Sequence, residues 1–298
     1  MSFRGDKGHV EDRIHALPCW SGPVEIEPLG GGLTNLNFRV TDGGKAYVAR
    51  TTADIPELFV YRWHEALACD AAHMAGIAPA VIFRGDGIMI TDFVAGRTLS
   101  EVDIRSPRYI ERIAPLLKRA HTRMPDHWRG AMLSIWPFQI CRTFATLLAE
   151  RRCRYGHRWP AFLDACASLE RLVGPADHAV THNDLLASNF IDDGERLWLI
   201  DWEYAGASLA LFDLANLAIN SDLTADHMEL LIDCYGGLRK GDDLMRRLTA
   251  LKAASALREA GWSMMQEVIS PLDMNYETYT DDAIRRFTDA CREIGIDP

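Results

Sequence analysis

The stretch THNDLLASNFIDDGERLWLIDWEYAG, residues 181–206, decides how the rest of this 298-residue chain is read. Leu197 to Ile200 is a short apolar run with the character of a buried strand, and Asp201 stands at its end. Ahead of it lies a polar loop in which His182 and Asp184 are followed, four intervening residues later, by Asn189. Ala179 to Asp201 therefore reads as strand, loop and strand, a path that turns back on itself. It gathers Asp184, Asn189 and Asp201 around one point. Any one of them alone would serve as an ordinary turn cap; the ordered set is what carries the reading.

That order resembles the catalytic loop H-x-D-x-x-x-x-N of protein kinases, and Asp201-Trp202-Glu203 resembles their D-F-G. Phosphoryl transfer needs a carboxylate that orients the attacking hydroxyl and accepts its proton, and oxygen ligands for a charge-neutralising metal. Asp184 fits the first task. Asn189 and Asp201 fit the second, because hard Mg²⁺ prefers amide and carboxylate oxygens. His182 is read as a brace for the loop rather than a proton shuttle. No D-F-G to A-P-E activation segment follows Asp201, which argues against a protein kinase.

Working outward toward the N-terminus, the first hundred residues read as strands around one helix. Val24–Leu29 and Leu36–Val40 flank a glycine-rich turn. Thr41-Asp42-Gly43-Gly44 is a hairpin signal, with Lys45–Arg50 as the returning strand. A helix is expected over Val60–Met74, closing at Gly76, and strands near Ala80–Arg84 and Ile88–Phe93. Beyond Gly96 the pattern is mostly helical, with helices expected over Pro107–His121, Pro137–Glu150, Trp159–Leu172, Ala225–Tyr235, Asp242–Ile269 and Asp281–Ile294. The expected fold is α+β and two-lobed. A small antiparallel-sheet lobe with one helix, residues 1–94, precedes a larger, mainly helical lobe, residues 95–298. Thr91 to Gly96 is the hinge candidate, and Asp92 and Val94 are expected beside a nucleotide there.

Composition is ordinary for a soluble globular protein: 48% of residues are apolar and 25% charged. The net charge of −10, with dispersed basic residues, argues against a nucleic-acid partner and tolerates a cationic substrate. No apolar run is long enough to cross a bilayer, and the charged N-terminus lacks the apolar stretch of a secretory signal. Seven scattered cysteines with no C-x-x-C pair suggest neither a zinc site nor a disulfide framework. The expected location is cytoplasmic, and the sequence leaves the oligomeric state open.

From about Leu29 to the C-terminus the chain resembles the choline/ethanolamine kinases and their relatives the aminoglycoside phosphotransferases, which share the protein-kinase-like fold. Gly31-Gly32-Leu33-Thr34-Asn35 resembles the family's nucleotide loop. The resemblance implies ATP phosphates held there by Gly31, Gly32, Thr34 and Asn35; glycines allow the close backbone approach this needs. Arg50, in Tyr47-Val48-Ala49-Arg50, stands where protein kinases carry a strand lysine. It is expected to contact the phosphates and to pair with Glu65. His121-Thr122-Arg123-Met124-Pro125 and Phe212-Asp213-Leu214-Ala215-Asn216 match two further family signatures, and Asp213 is expected to brace the catalytic loop. The implied activity is ATP- and Mg²⁺-dependent phosphorylation of an alcohol.

At the acceptor end, Trp262-Ser263-Met264-Met265-Gln266 with Ile269-Ser270 resembles the family's W-S-x-x-Q-x-x-I-S. Tyr276 and Tyr279 fall where it has two tyrosines. Glu203 and Tyr204 follow the metal aspartate as in its D-[aromatic]-E-Y. The resemblance implies a cationic amino alcohol bound by Trp262 and Tyr279, with Glu203 and Tyr204 nearby. A tryptophan and methionine stripe at helical spacing also suits an ordinary core. Two positions depart from the eukaryotic pattern: Glu259 stands where a second tryptophan is found, and Asn220 where a glutamate follows F-D-x-x-N. Both leave the acceptor open between choline or ethanolamine and an aminoglycoside, thiamine or another metabolite. From a different class, a silent nucleotide-binding regulator is opposed by the intact Asp184, Asn189 and Asp201.

Overall fold

A computed structural model describes residues 7–30, 36–51, 53–85, 87–151, 153–175, 178–238, 242–270 and 274–298. The expected loop Gly31, Gly32, Thr34 and Asn35 lies outside the described residues. A five-stranded antiparallel sheet comes first, formed by β1 (Glu25–Leu29), β2 (Leu36–Asp42), β3 (Lys45–Thr51), β4 (Val81–Gly85) and β5 (Ile88–Asp92) in the order β1-β2-β3-β5-β4. Gly43 and Gly44 take φ of +56° and +84°, which closes the β2–β3 hairpin where the sequence signals it.

α1 (Lys7–His15) precedes the sheet and was not expected. It buries Val10 and Ile14 against Phe38, Val40, Ala49 and Ile90, giving the sheet a core of its own. α2 (Arg62–Met74) lies between β3 and β4. Its apolar face instead joins the larger helical core through Ala68, Ala71 and Ala72.

The helical part comprises α3 (Glu101–Ile104), α4 (Pro107–His127), α5 (Pro137–Ala149), α6 (Trp159–Val173), α7 (Ala210–Asn220), α8 (Ala225–Tyr235), α9 (Asp242–Ile269) and α10 (Tyr276–Glu293). α4 runs through Pro115 and Pro125, past the end expected at His121. A proline inside a helix costs about 3 kcal/mol. Here Ile110, Ile113, Leu117 and Met124 are fully buried, at about 1.5–3 kcal/mol per large side chain, and they outweigh it. α7 was read only as a motif. All nine residues from Leu211 to Ile219 are buried, so it has no polar face and no amphipathic period to find. α10 begins five residues earlier than expected, where the Asn275 side chain accepts from Thr278 N at 3.1 Å.

Two small pairings position the loops between these helices. β7 (His178–Thr181) pairs antiparallel with β10 (Gly206–Leu209), and β6 (Arg97–Thr98) pairs with β8 (Phe190–Asp192), which pairs with β9 (Leu197–Leu199). Thr181 lies opposite Gly206, so residues 182–184 and 203–205 leave one pairing side by side. Among the described residues no helix is long and apolar enough to cross a membrane.

Candidate active site

The loop from His182 to Asn189 is held from below by α7. Asp213 is fully buried and accepts from His182 N and Asn183 N, both at 2.8 Å, and its Oδ2 lies 2.9 Å from His121 Nε2. His121 is fixed in turn by Tyr235 Oη at 2.9 Å. The His182 ring faces Ile200 O at 2.9 Å and packs edge-on to Trp202. It therefore ties the loop to the strand before Asp201, and burial pulls its pKa below the usual histidine value. Asn183, φ +66°, donates through Nδ2 to Tyr204 O at 2.9 Å, and Asp201 has φ +68°. Left-handed backbone at a non-glycine residue costs about 1–2 kcal/mol, which this bonding offsets.

Removing the Asp213 carboxylate strands two buried N–H groups, at about 1–3 kcal/mol each. Asp213→Ala is therefore expected to lose about 3–5 kcal/mol of unfolding free energy, with Asp213→Asn losing less. Chemical denaturation checks this, and a loss under about 1 kcal/mol would remove Asp213 as the brace.

Above the loop, Arg50 Nη1 lies 2.9 Å from Glu65 Oε1 and 2.8 Å from Asp201 Oδ1, and its Nη2 lies 2.9 Å from Glu203 Oε2. The expected Arg50–Glu65 pair is thus present, and the same guanidinium also joins β3 to the residues after β9. Burial works against its charge, but Asp201, Glu65 and Glu203 outweigh it and raise its pKa well above the usual value. Arg62 adds a second guanidinium, 2.6 Å from Glu65 Oε2 and 3.0 Å from Glu203 Oε2. The carboxylates of Glu65, Asp201 and Glu203 converge within 4.8 Å, with charge already compensated on one side.

One cavity of about 130 Å³ brings together Asp184, Asn189, Asp201, Glu203, Tyr204, Trp262 and Tyr279. Arg50 lines it as well; Asp92 and Val94 do not. Asp92 is instead paired with Lys45 at 2.7 Å. Burial pushes the Asp184 carboxyl up to about 8; Arg258 opposes this, while Glu259, Asp201 and Glu203 add to it. Asn189 lines the cavity and donates through Nδ2 to Asp184 O at 2.9 Å, which leaves its amide oxygen as its metal-binding atom. An amide oxygen and the Asp201 carboxylate are hard donors of the kind Mg²⁺ takes, and so fit that ion.

The opposite wall of the cavity comes from α9 and α10. Trp262 meets Tyr279 at 5.8 Å and Tyr276 at 6.2 Å, both edge-on. A Cβ on Gly261 would lie 2.6 Å from Phe144 Cδ2, so glycine lets α9 close on α5 where Trp262 faces the cavity. Met265, on the same helix face, is core. Tyr279 Oη donates to Glu259 Oε1 at 2.5 Å. Arg258, a buried guanidinium the motif reading passed over, lies 3.4 Å from Asp184 Oδ1 and 3.5 Å from Glu259 Oε2. Only its adjacency to Glu259 hinted at it. Asn220 donates to Leu185 O at 3.3 Å and lines a neighbouring cavity.

Comparison with known proteins places the fold and the family. A probable ethanolamine kinase of Arabidopsis thaliana is 26% identical over 292 residues, covering 85% of this chain and 76% of that protein. Protein LicA of Haemophilus influenzae is 24% identical over 210 residues, covering 69% of this chain; the match spans 61% of LicA's length. The crystal structure of a choline/ethanolamine kinase family protein from Mesorhizobium loti superposes with TM-score 0.79 at 25% identity, covering 97% and 96% of the two chains. A spectinomycin phosphotransferase, solved with ADP and spectinomycin, shares the fold at TM-score 0.59 and 11% identity, covering 90% of this chain and 93% of its own. The choline/ethanolamine kinase profile matches residues 26–230, more than half of the sequence, and the chain belongs to that family.

Proposed function

We propose that this protein transfers the γ-phosphoryl group of ATP to the hydroxyl of a small cationic amino alcohol. The observation that carries the proposal is the single cavity in which Asp184, Asn189 and Asp201 face Trp262, Tyr279 and Glu259. A phosphoryl-transfer set and a cation-binding set sharing one space fit a short molecule with a hydroxyl at one end and an amine at the other.

In this reading Asp184 accepts the proton as the substrate oxygen bonds to the γ-phosphorus and the bond to the β-phosphate oxygen breaks, releasing ADP. Asn189 and Asp201 would hold Mg²⁺, which, when bound, offsets phosphate charge. Arg50 exchanges part of its carboxylate pairing for phosphate oxygens, and the loop 31–35 is assigned to the same phosphates. Asp92 and Val94 are assigned to the nucleotide side through the segment after β5. Glu203 serves the site by holding Arg50 and Arg62, and Tyr204 faces the acceptor.

The test is incubation of the protein with ATP, Mg²⁺ and a panel of amino alcohols, aminoglycosides and thiamine, read by ³¹P NMR. An amino-alcohol phosphomonoester is expected. A folded, ATP-binding protein that phosphorylates nothing would favour the silent regulator; an aminoglycoside product would move the acceptor class.

Trp262 supplies a second check. A cation over an indole face gains about 0.5–2 kcal/mol, so Trp262→Ala should raise KM for the amine by roughly 2- to 30-fold, and Trp262→Phe by less. KM for ATP should hardly change. If the alanine variant is folded and its amine KM is unchanged, Trp262 is core and not a wall of the amine site.

A further inference from the structure

We infer that Glu259 makes this site selective for an amine that still carries N–H, over a quaternary ammonium. The inference rests on the amino-alcohol reading above and specifies which amine it takes. Four carboxylates line the cavity: Asp184, Asp201, Glu203 and Glu259. Asp201 is engaged by Arg50, and Glu203 Oε2 is shared by Arg50 at 2.9 Å and Arg62 at 3.0 Å. Asp184 is assigned to the hydroxyl. Glu259 remains for the amine.

Its environment suits that task. Oε1 is fixed by Tyr279 Oη at 2.5 Å, while Oε2 lies 3.5 Å from Arg258 Nη2, the outer limit of a hydrogen bond. A carboxylate offers about four acceptor positions, so Glu259 is oriented by two neighbours and still has capacity toward the cavity. Its side chain is only 19% exposed, so little water can fill that capacity once a ligand enters.

An independent observation points the same way. Tyr204 Oη is buried at the same cavity and has no hydrogen-bond partner among the described residues. Burial, reinforced by Glu203 and Asp184, raises its pKa well above the usual tyrosine value, so the hydroxyl stays neutral. A carboxylate with spare accepting capacity and an unpartnered hydroxyl thus belong to the cavity where the amine is placed.

The aromatic faces of Phe59, Phe144 and Trp262 attract any ammonium, methylated or not, and do not discriminate by N–H content. Glu259 and Tyr204 do. A protonated primary amine donates to both. A trimethylammonium covers them, donates nothing, and leaves a desolvated carboxylate without a new bond. Sites built to bond a substrate N–H reject the analogue that lacks it far more strongly than apolar pockets reject an added methyl group.

The experiment is kcat/KM for ethanolamine, N-methylethanolamine, N,N-dimethylethanolamine and choline at saturating ATP and Mg²⁺, in the wild type and in Glu259→Gln. Wild type is expected to prefer ethanolamine to choline by at least about tenfold, with values falling as N–H groups are lost. Glu259→Gln should collapse most of that spread, while melting temperature and ATP affinity stay unchanged. Choline used as well as ethanolamine, or a variant that lowers all four substrates alike, overturns the inference and leaves the amino-alcohol reading standing. If none of the four is phosphorylated, that reading falls and this inference with it. Should that variant not fold, Glu259→Asp, which draws the carboxylate back by one methylene, takes its place, and an unchanged spread in it overturns the inference.

Discussion

Asp184→Asn is expected to leave ATP binding intact and to lower turnover by about 10²–10⁴-fold, the usual contribution of a general base. The substitution keeps the shape of the side chain and an oxygen facing Arg258, 3.4 Å away in the native protein. The loop is untouched, because Asn189 bonds the Asp184 backbone carbonyl and Asp213 holds the residues before it. What disappears is the ability to accept a proton. Burial pushes the native carboxyl up to about 8, so in the free enzyme the active, deprotonated form accumulates as pH rises toward that value. Wild-type kcat/KM should climb with pH through about 8 and level off above it, and the climb should vanish in the variant. Stopped assays across pH, with calorimetry for ATP affinity, check both parts. A loss of less than about tenfold would mean that Asp184 is not the base.

Asp201→Ala is expected to abolish most Mg²⁺-dependent ATP affinity. Loss of a mere supporting group costs a metal site roughly 10- to 100-fold, and a direct ligand should cost at least that. Asp201 sits at the end of β9 in left-handed backbone, with one oxygen already drawn to Arg50 at 2.8 Å. The alanine variant leaves Arg50 paired with Glu65 and Glu203, so the fold around it should persist. Calorimetric titration of ATP with and without Mg²⁺ separates the effects: the wild type should show a strong metal dependence and the variant little. Equal metal dependence in both proteins would place the ion elsewhere.

How far the sequence could be read depended on where each interaction lies along the chain. His182, Asp184, Asn189 and Asp201 were legible because their geometry is set by one loop and one strand. The β2–β3 hairpin was legible because two glycines can adopt a turn most residues avoid. Arg62 and Arg258 were not. An arginine on a helix looks like a solvated surface residue until the fold buries it among carboxylates from distant segments. Glu203 shows the same limit: its place after Asp201 suggested the acceptor, but the guanidiniums of Arg50 on β3 and Arg62 on α2 hold its Oε2 atom. Asn183 was passed over because its bond to Tyr204 O depends on the pairing of β7 with β10. α7 stayed hidden because a helix buried on every side has no period to detect.

The division of the apolar core bears on how the molecule can move. α2 belongs to the helical core, whereas α1 and the inner face of the sheet share a separate one, with Met89 of β5 bridging to the first. A rotation of the sheet relative to α2 would slide the strands across its face, against the packing of Met89 and Val81 on the helical core and the Arg84–Asp70 ion pair. Arg50 rides with the strands; Glu65, Asp201 and Glu203 stay with the stationary part. The guanidinium is thus a latch with all three catches on one side of the moving boundary. Because one rigid planar group makes all three bonds, any displacement of Arg50 disturbs them together.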